Sequence, residues 1–262
     1  MRTWAAGLLL AAACSKERVG TVEGPPLTIA PDSGSNANAN ANANATTTAT
    51  ATATARGNPV SAKIVDVGPG GTSASIRACE ELMVAVVKGS LTAGGEQLGA
   101  GDVLVAQGAG DVPLRGAGRV VVATVQPPVC DANGVAPMRR VVRAAMAPEL
   151  TWAGGAMHAH LDVEKDLSPN AYLGRLSGTA PVVEHAHADS WEIVCAIEAA
   201  GTFTQDGKEQ RLSPGQVVAI PPGAKHAWKP DPGKSLVAIQ IYAPPGPEQR
   251  FRVLAAPPDA GK

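Results

Sequence analysis

Residues 185–226 read HAHADSWEIVCAIEAAGTFTQDGKEQRLSPGQVVAIPPGAKH, and the reading of this stretch decides the fold. Its apolar runs, IVCAI at 193–197 and VVAI at 217–220, are short. They are set off by Gly201, by the pair Asp206-Gly207 and by Ser213-Pro214-Gly215. Apolar runs of that length between turn residues recurring about every 8 to 12 positions are the pattern of antiparallel strands. No long stretch of helical periodicity competes with it. Further upstream the pattern repeats: ELMVAVV at 81–87 leads through Gly89 and a Gly94-Gly95 turn to GAGDVLV at 99–105. The chain from residue 57 onward therefore reads as all-β, two β-barrels or sandwiches of about 100 residues each.

The same stretch holds three of the five histidines. His185 and His187 are two apart, so on a strand both imidazoles leave by one face and can approach one ion. Ala188-Asp189-Ser190 reads as a turn or bulge that returns Glu192 to that face. Gly215 opens the next strand, Pro221-Pro222-Gly223 reverses it, and the strand beyond carries His226 inward. Three neutral imidazoles and one carboxylate form a nitrogen and oxygen site suited to Mn, Fe, Ni, Zn or Cu rather than Ca. Such a set leaves coordination positions for water or a ligand oxygen.

These spacings resemble the motifs of the cupin superfamily, His-x-His-x3-4-Glu followed by Gly-x5-Pro-x-Gly-x2-His. Pro230 stands where the family closes its second motif with Asn, and eight rather than six residues separate Glu192 from Gly201. The resemblance implies a bicupin with jelly-roll barrels, covering roughly residues 57 to 256. It assigns His185, His187, Glu192 and His226 as ligands of one divalent transition metal. In the first half it puts Ser75, Arg77 and Val112 where histidines belong, which implies a barrel without metal; a separate anion or sugar pocket at Arg77 and Glu81 is the other reading. His158-Ala159-His160 with Glu164 imitates the first motif, but no second motif follows at the right distance.

Strand alternation places Trp228 on the face of His226, either flanking the metal or packing in the core. Gln240 is a polar residue in the apolar run SLVAIQIY, so burial obliges it to find a partner, on a ligand or on a neighbouring strand. Trp228 and Gln240 are thus the candidate ligand-pocket residues. Lys225 and Trp191 fall on the opposite parity, facing outward or covering a rim. Arg175 reads as a carboxylate anchor or a surface salt-bridge partner.

Composition narrows the partners. Lys+Arg 22 against Asp+Glu 23 leaves a net charge of −1, with no positive field to hold a nucleic acid. Arg2 precedes an apolar run from Trp4 to Ala13, long enough for a signal-peptide core and far short of a membrane span. LAAACS at 10–15 resembles the lipobox of bacterial lipoproteins, in which cleavage before a cysteine leaves it to carry lipid. That implies Cys14 as the lipid attachment; ordinary cleavage after Ala13 is the alternative. SGSNANANANANATTTATATATA at 33–55 lacks large side chains to offset the entropy of ordering, so it reads as a disordered linker rather than a strand. The expected organisation is a signal peptide over 1–13, the lipid-attachment cysteine and linker over 14–56, a cupin-like domain without metal over 57–145 and a metal-binding cupin domain over 146–262. An exported, membrane-anchored lipoprotein facing the periplasm or cell surface follows. Of the remaining cysteines, Cys79 and Cys130 share the first half and are the expected bridge, while Cys195 lies in an apolar run.

Function at this level divides between classes. One is a metal-dependent enzyme of dioxygenase, decarboxylase or sugar isomerase type acting on a small oxygen-rich molecule. Another is a non-catalytic metabolite or metal binder. The third is a scaffold with a structural metal. Expected partners are a small-molecule ligand, the membrane through the N-terminal lipid, and a second copy of the chain.

Overall fold

The computed structural model describes residues 46–53, 59–130 and 136–256. Its first eight strands form one sheet: β1 (Thr46–Ala53), β2 (Val60–Val67), β3 (Thr72–Ile76), β4 (Glu81–Ala93), β5 (Glu96–Gly99), β6 (Val103–Gln107), β7 (Gly110–Val125) and β8 (Met138–Val142). Strands β4 and β7 pair antiparallel along nearly their whole length, through a register shift at Val86/Lys88. Their outer ends pair with β5 and β3, and their other ends lie among β2 and β6, so the long strands curl the sheet round on itself. The corner falls where Gly89 faces Gly118. Gly89 has φ +83°, and a Cβ on it would overlap the Ala117 carbonyl, so only glycine fits there.

The second half contributes a six-stranded and a four-stranded sheet among the described residues. In chain order its strands are β9 (Glu149–Trp152), β10 (Met157–Val163), β11 (Tyr172–Gly178), β12 (Val182–His185), β13 (Trp191–Glu198), β14 (Gly201–Gln205), β15 (Lys208–Leu212), β16 (Val217–Ile220), β17 (His226–Pro230) and β18 (Leu236–Ala243). The larger sheet runs β16-β13-β18-β11-β10-β9 and the smaller β12-β17-β14-β15. Helix α1 (Gln249–Ala255) follows the last strand. The fold is all-β, with two jelly-roll-like barrels.

Three apolar clusters explain why the strand runs are apolar throughout rather than alternating. Leu82, Val84 and Val86 fill the first barrel, while Val194, Ala196 and Phe203 fill the second. The opposite faces of the same strands, Met83 and Ala85 in β4 and Ile193 and Cys195 in β13, meet in a third cluster between the halves. A strand buried on both faces needs apolar residues at successive positions. Each such fully buried Val, Leu or Ile contributes about 1.5–3 kcal/mol. Trp191 packs part-buried against this middle cluster instead of facing outward.

One expectation is corrected. The segment TTTATATA, read above as linker and not as strand, forms β1 and pairs antiparallel with β2 from Thr46 opposite Asp66 to Ala53 opposite Val60. A strand added to an existing edge draws its backbone hydrogen bonds from that edge, so it needs no apolar face of its own. The threonines supply the β-branched residues that suit extended backbone. The earlier part of that stretch, with Cys14 and residues 1–13, lies outside the described residues. Among the described residues no helix is long and apolar enough to cross a membrane.

Cys79 and Cys130 form a disulfide with Cα atoms 5.5 Å apart. Cys195 is a free, buried thiol whose pKa burial pushes far up, so it is inert packing.

Candidate metal centre

The second barrel brings the four motif residues together. His185 ends β12 and sits opposite His226 in β17, so strand pairing alone makes these two rings neighbours, with centroids 4.1 Å apart. The Asp206-Gly207 pair, with φ of 48° and 75°, closes the two-residue hairpin between β14 and β15. Asp206 Oδ1 accepts the Lys225 amide at 2.9 Å, which fixes the start of β17 beside that hairpin. In the Pro221-Pro222-Gly223 turn, Gly223 takes φ +81° and its amide donates to the His187 carbonyl at 2.7 Å. The turn of the second motif thereby holds the backbone of the first.

Glu192 rises from β13 to the centre, only 2% exposed. Its Oε2 lies 3.2 Å from His187 Nε2 and 2.9 Å from His226 Nε2. The Nδ1 atoms of His185 and His226 face their own strands, 2.8 Å from the Val183 carbonyl and 3.0 Å from that of Ala224. Each carbonyl accepts from Nδ1–H, so when the ring is neutral Nε2 is left with a lone pair for a ligand; burial lowers His226, but the facing Glu192 outweighs it and raises its pKa. The ligand atoms of His185, His187, Glu192 and His226 all lie within 4.8 Å of one another, close enough to share one ion. Although His226 Nε2 lies close to Glu192, it is buried without a well-aligned hydrogen bond. An unsatisfied buried acceptor beside a carboxylate and two more imidazoles fits a divalent cation.

Electrostatics follow from burial. Burial pushes the Glu192 carboxyl up, but the facing His187 and His226 rings outweigh it and bring it down to about 2. Burial, with help from the positive charge of Arg250, lowers His185 to about 4 and keeps it neutral. Burial pushes the Tyr242 hydroxyl well up, with the Glu192 charge adding to it.

Gln240 donates from Nε2 to Glu192 Oε1 at 2.9 Å, and the Tyr242 hydroxyl approaches the same oxygen at 3.5 Å. Of the two alternatives, Gln240 thus takes the partner on the neighbouring strand, the Glu192 carboxylate of β13 at the centre of the site. Tyr242 was missed, although the alternation that marks Gln240 puts it on the same face two residues on. A cavity of about 240 Å³ adjoins the cluster, lined by His185, Glu192, His226, Trp228, Gln240 and Tyr242, with α1 supplying Arg250, Phe251 and Leu254 at one side. Trp228 lies in this wall, 5% exposed, and Gly201 makes room for it: a Cβ there would come within 2.6 Å of the indole. Lys225 points away and sits 3.9 Å from Glu184.

Several candidates fall elsewhere. His158 and His160 lie on β10 beside Glu149, at 3.0 and 3.7 Å, outside the cluster. Arg175 is not a surface partner. It makes a bidentate pair with the fully buried carboxylate of Asp162 and reaches close to Gly101 of the first half. The Arg77 and Glu81 pocket is also corrected. Arg77 is exposed, whereas Glu81 is buried and accepts hydrogen bonds from Ser168 Oγ, Asn170 Nδ2 and Gln107 Nε2, which ties the two halves together. Ser75 donates to Asp111 at 2.6 Å and Val112 is core. An open cleft of about 430 Å³ near Gln107 and Arg139 is remote from the histidines.

Residues 176–242 match the family model described as "Cupin domain". Among curated proteins no sequence matches the chain. Among solved structures, an IolB-like protein from Salmonella typhimurium LT2 is similar at TM-score 0.57 and 11% identity, over 72% of this chain and 84% of that one. An oxalate decarboxylase from Lactobacillus farciminis, in complex with formate, gives 0.56 and 11%, over 75% and 84%. A putative glyoxylate-induced protein from Pseudomonas aeruginosa gives 0.52 and 13%, over 70% and 73%. Likeness at such identity speaks for the fold alone. The domain match and the shared fold support the cupin superfamily.

Proposed function

We propose that this chain is an exported, lipid-anchored bicupin that holds one divalent transition metal at His185, His187, Glu192 and His226 and binds a small oxygen-bearing molecule beside it. The observation that carries the reading is the convergence of four ligand atoms within 4.8 Å around a buried, unsatisfied His226 Nε2. A metal bound there would act as a Lewis acid toward an oxygen of the ligand. Gln240 and Tyr242 hold Glu192 in place by its other oxygen. The cavity against the cluster favours a ligand site over a purely structural metal.

Among the described residues around the cavity, no side chain outside the metal cluster offers itself as a free general base. Glu192 is engaged by the histidines, and Tyr242 is kept protonated by burial. The reading that best suits this set is binding, or chemistry carried by the metal without a partner base. The Cys79–Cys130 disulfide fits an oxidising compartment, and Cys14 is the proposed lipid attachment.

Elemental analysis of the purified protein is expected to give close to one equivalent of Mn, Fe, Ni, Zn or Cu; none after metal supplementation would overturn the reading. A panel of organic acids, sugars and phenols, run with and without oxygen, separates turnover from binding. Mass spectrometry of the mature N-terminus tests lipid on Cys14.

A further inference from the structure

Among the described residues Arg250 is the one cationic side chain in the wall of the cavity that adjoins the metal cluster. Helix α1 carries it there and is itself pinned in two ways. Phe251 stacks on Trp152 with ring centroids 5.5 Å apart, and Arg252 pairs with Glu164 at 2.7 Å. Among the described residues the Arg250 guanidinium has no hydrogen-bond or ion-pair partner. Partly buried guanidinium groups are normally paired, and their planar fork matches a carboxylate. A second donor waits in the same wall: Trp228 Nε1 is buried with no acceptor.

Apart from these two and from His185, Glu192, His226, Gln240 and Tyr242 at the metal cluster, the wall is apolar, with Val194, Phe203, Leu212, Leu236, Phe251 and Leu254 among its residues. A polyol would leave several hydroxyls unpaired against these side chains, at a cost that burial does not offset. An apolar body is favoured at about 25 cal/mol per Å² removed from water.

We propose that the cavity takes a small carboxylate with an apolar body, an aryl or branched-alkyl monocarboxylate, anchored by Arg250 with its body against Trp228 and Phe203. This deepens the metal-site reading by naming the class of molecule, and it makes Arg250 a specificity residue.

The test titrates the full protein, metal-supplemented and chelated, with benzoate and phenylacetate, with the neutral isostere benzyl alcohol, and with glucose and oxalate as polar probes. Binding is read by calorimetry and by the fluorescence of the cavity tryptophans, and metal content is measured on the same samples. Benzoate or phenylacetate is expected to bind at least tenfold tighter than benzyl alcohol, glucose or oxalate. Arg250→Gln is expected to weaken the carboxylates about 10-fold or more, leaving benzyl alcohol unchanged, with Arg250→Lys intermediate. Circular dichroism verifies that the variants fold.

Equal binding of carboxylate and alcohol, preference for glucose or oxalate, or no effect of Arg250→Gln would overturn the inference. Metal loading without carboxylate preference sinks this inference alone. Arg250-dependent binding in a protein that takes no metal sinks the metal reading alone.

Discussion

Gln240 holds Glu192 by a hydrogen bond of 2.9 Å, from a neighbouring strand, to the oxygen that does not face His226. The carboxylate is buried, so its orientation depends on that donor and on the weaker contact from Tyr242. Removing an outer partner of a metal ligand typically costs about 10–100-fold in affinity. Gln240→Leu, similar in size and without a donor, is expected to weaken metal binding by that factor while the protein stays folded. Competition with a chromophoric chelator measures it; unchanged affinity would mean that Glu192 is positioned by packing alone.

His226→Ala removes one ligand and relieves the unsatisfied Nε2. The cores of both barrels are apolar and do not include the cluster, so the variant is expected to lose the metal and keep its secondary structure. Wild-type protein should gain about 2.7 kcal/mol of stability at a free metal concentration 100 times Kd, and the variant nothing. Thermal denaturation with and without metal checks both. Collapse of the variant would show instead that the metal staples the barrel.

What could be read from sequence here follows the physics of each feature. Metal ligation demands particular residue types at strand offsets, so the convergence of His185, His187, Glu192 and His226 was legible, as was the Asp206-Gly207 hairpin, whose two positive φ values suit Asp and Gly. Strand β1 was not legible, because its pairing depends on the β2 edge and not on its own side chains. Arg250 was hidden for a similar reason: a short helix beyond the last strand brings it to the cavity, and seven residues give too little periodicity to announce themselves. Glu81 stands at a motif position in the first half, but its partners Ser168 and Asn170 come from the other half.

Glu81 therefore predicts a stability effect far from the metal. It is 2% exposed and accepts from Ser168, Asn170 and Gln107. Glu81→Ala strands those buried donors and should destabilise by about 1–3 kcal/mol, the order that leaving a buried polar group without its partner costs. Glu81→Gln retains one acceptor and should fall between. Urea denaturation gives the difference, and metal content should not change.

The disulfide spans a sequence separation of 51, from Cys79 before β4 to Cys130 beyond β7. Closing a loop of that length restricts the unfolded chain, for which the chain-entropy model gives about 4 kcal/mol as an upper figure. Cys79→Ser with Cys130→Ser should lower the melting temperature and leave metal stoichiometry intact, since both residues lie in the first half. Equal stability of wild type and variant would place the constraint elsewhere.

Asp102 sets the response to acid. Its Oδ2 accepts the Gly99 amide at 3.0 Å and Arg143 Nη1 at 2.8 Å, and Oδ1 accepts the Ala144 amide at 2.9 Å. Burial pushes its carboxyl up, yet these donors and the Arg143 charge outweigh it and hold it below the usual carboxylate range. A carboxylate lowered in the folded state contributes stability that is complete above its unfolded value of about 3.9 and is lost as pH falls through the folded value. Asp102→Asn cannot carry the charge, so it should cost about 1–2 kcal/mol at pH 7. The gap between wild type and variant should narrow below about pH 4, as the wild-type carboxylate takes up its proton. Urea denaturation at a series of pH values between 7 and 3 reads that gap, and a gap independent of pH would assign the loss to altered hydrogen-bond geometry rather than to charge.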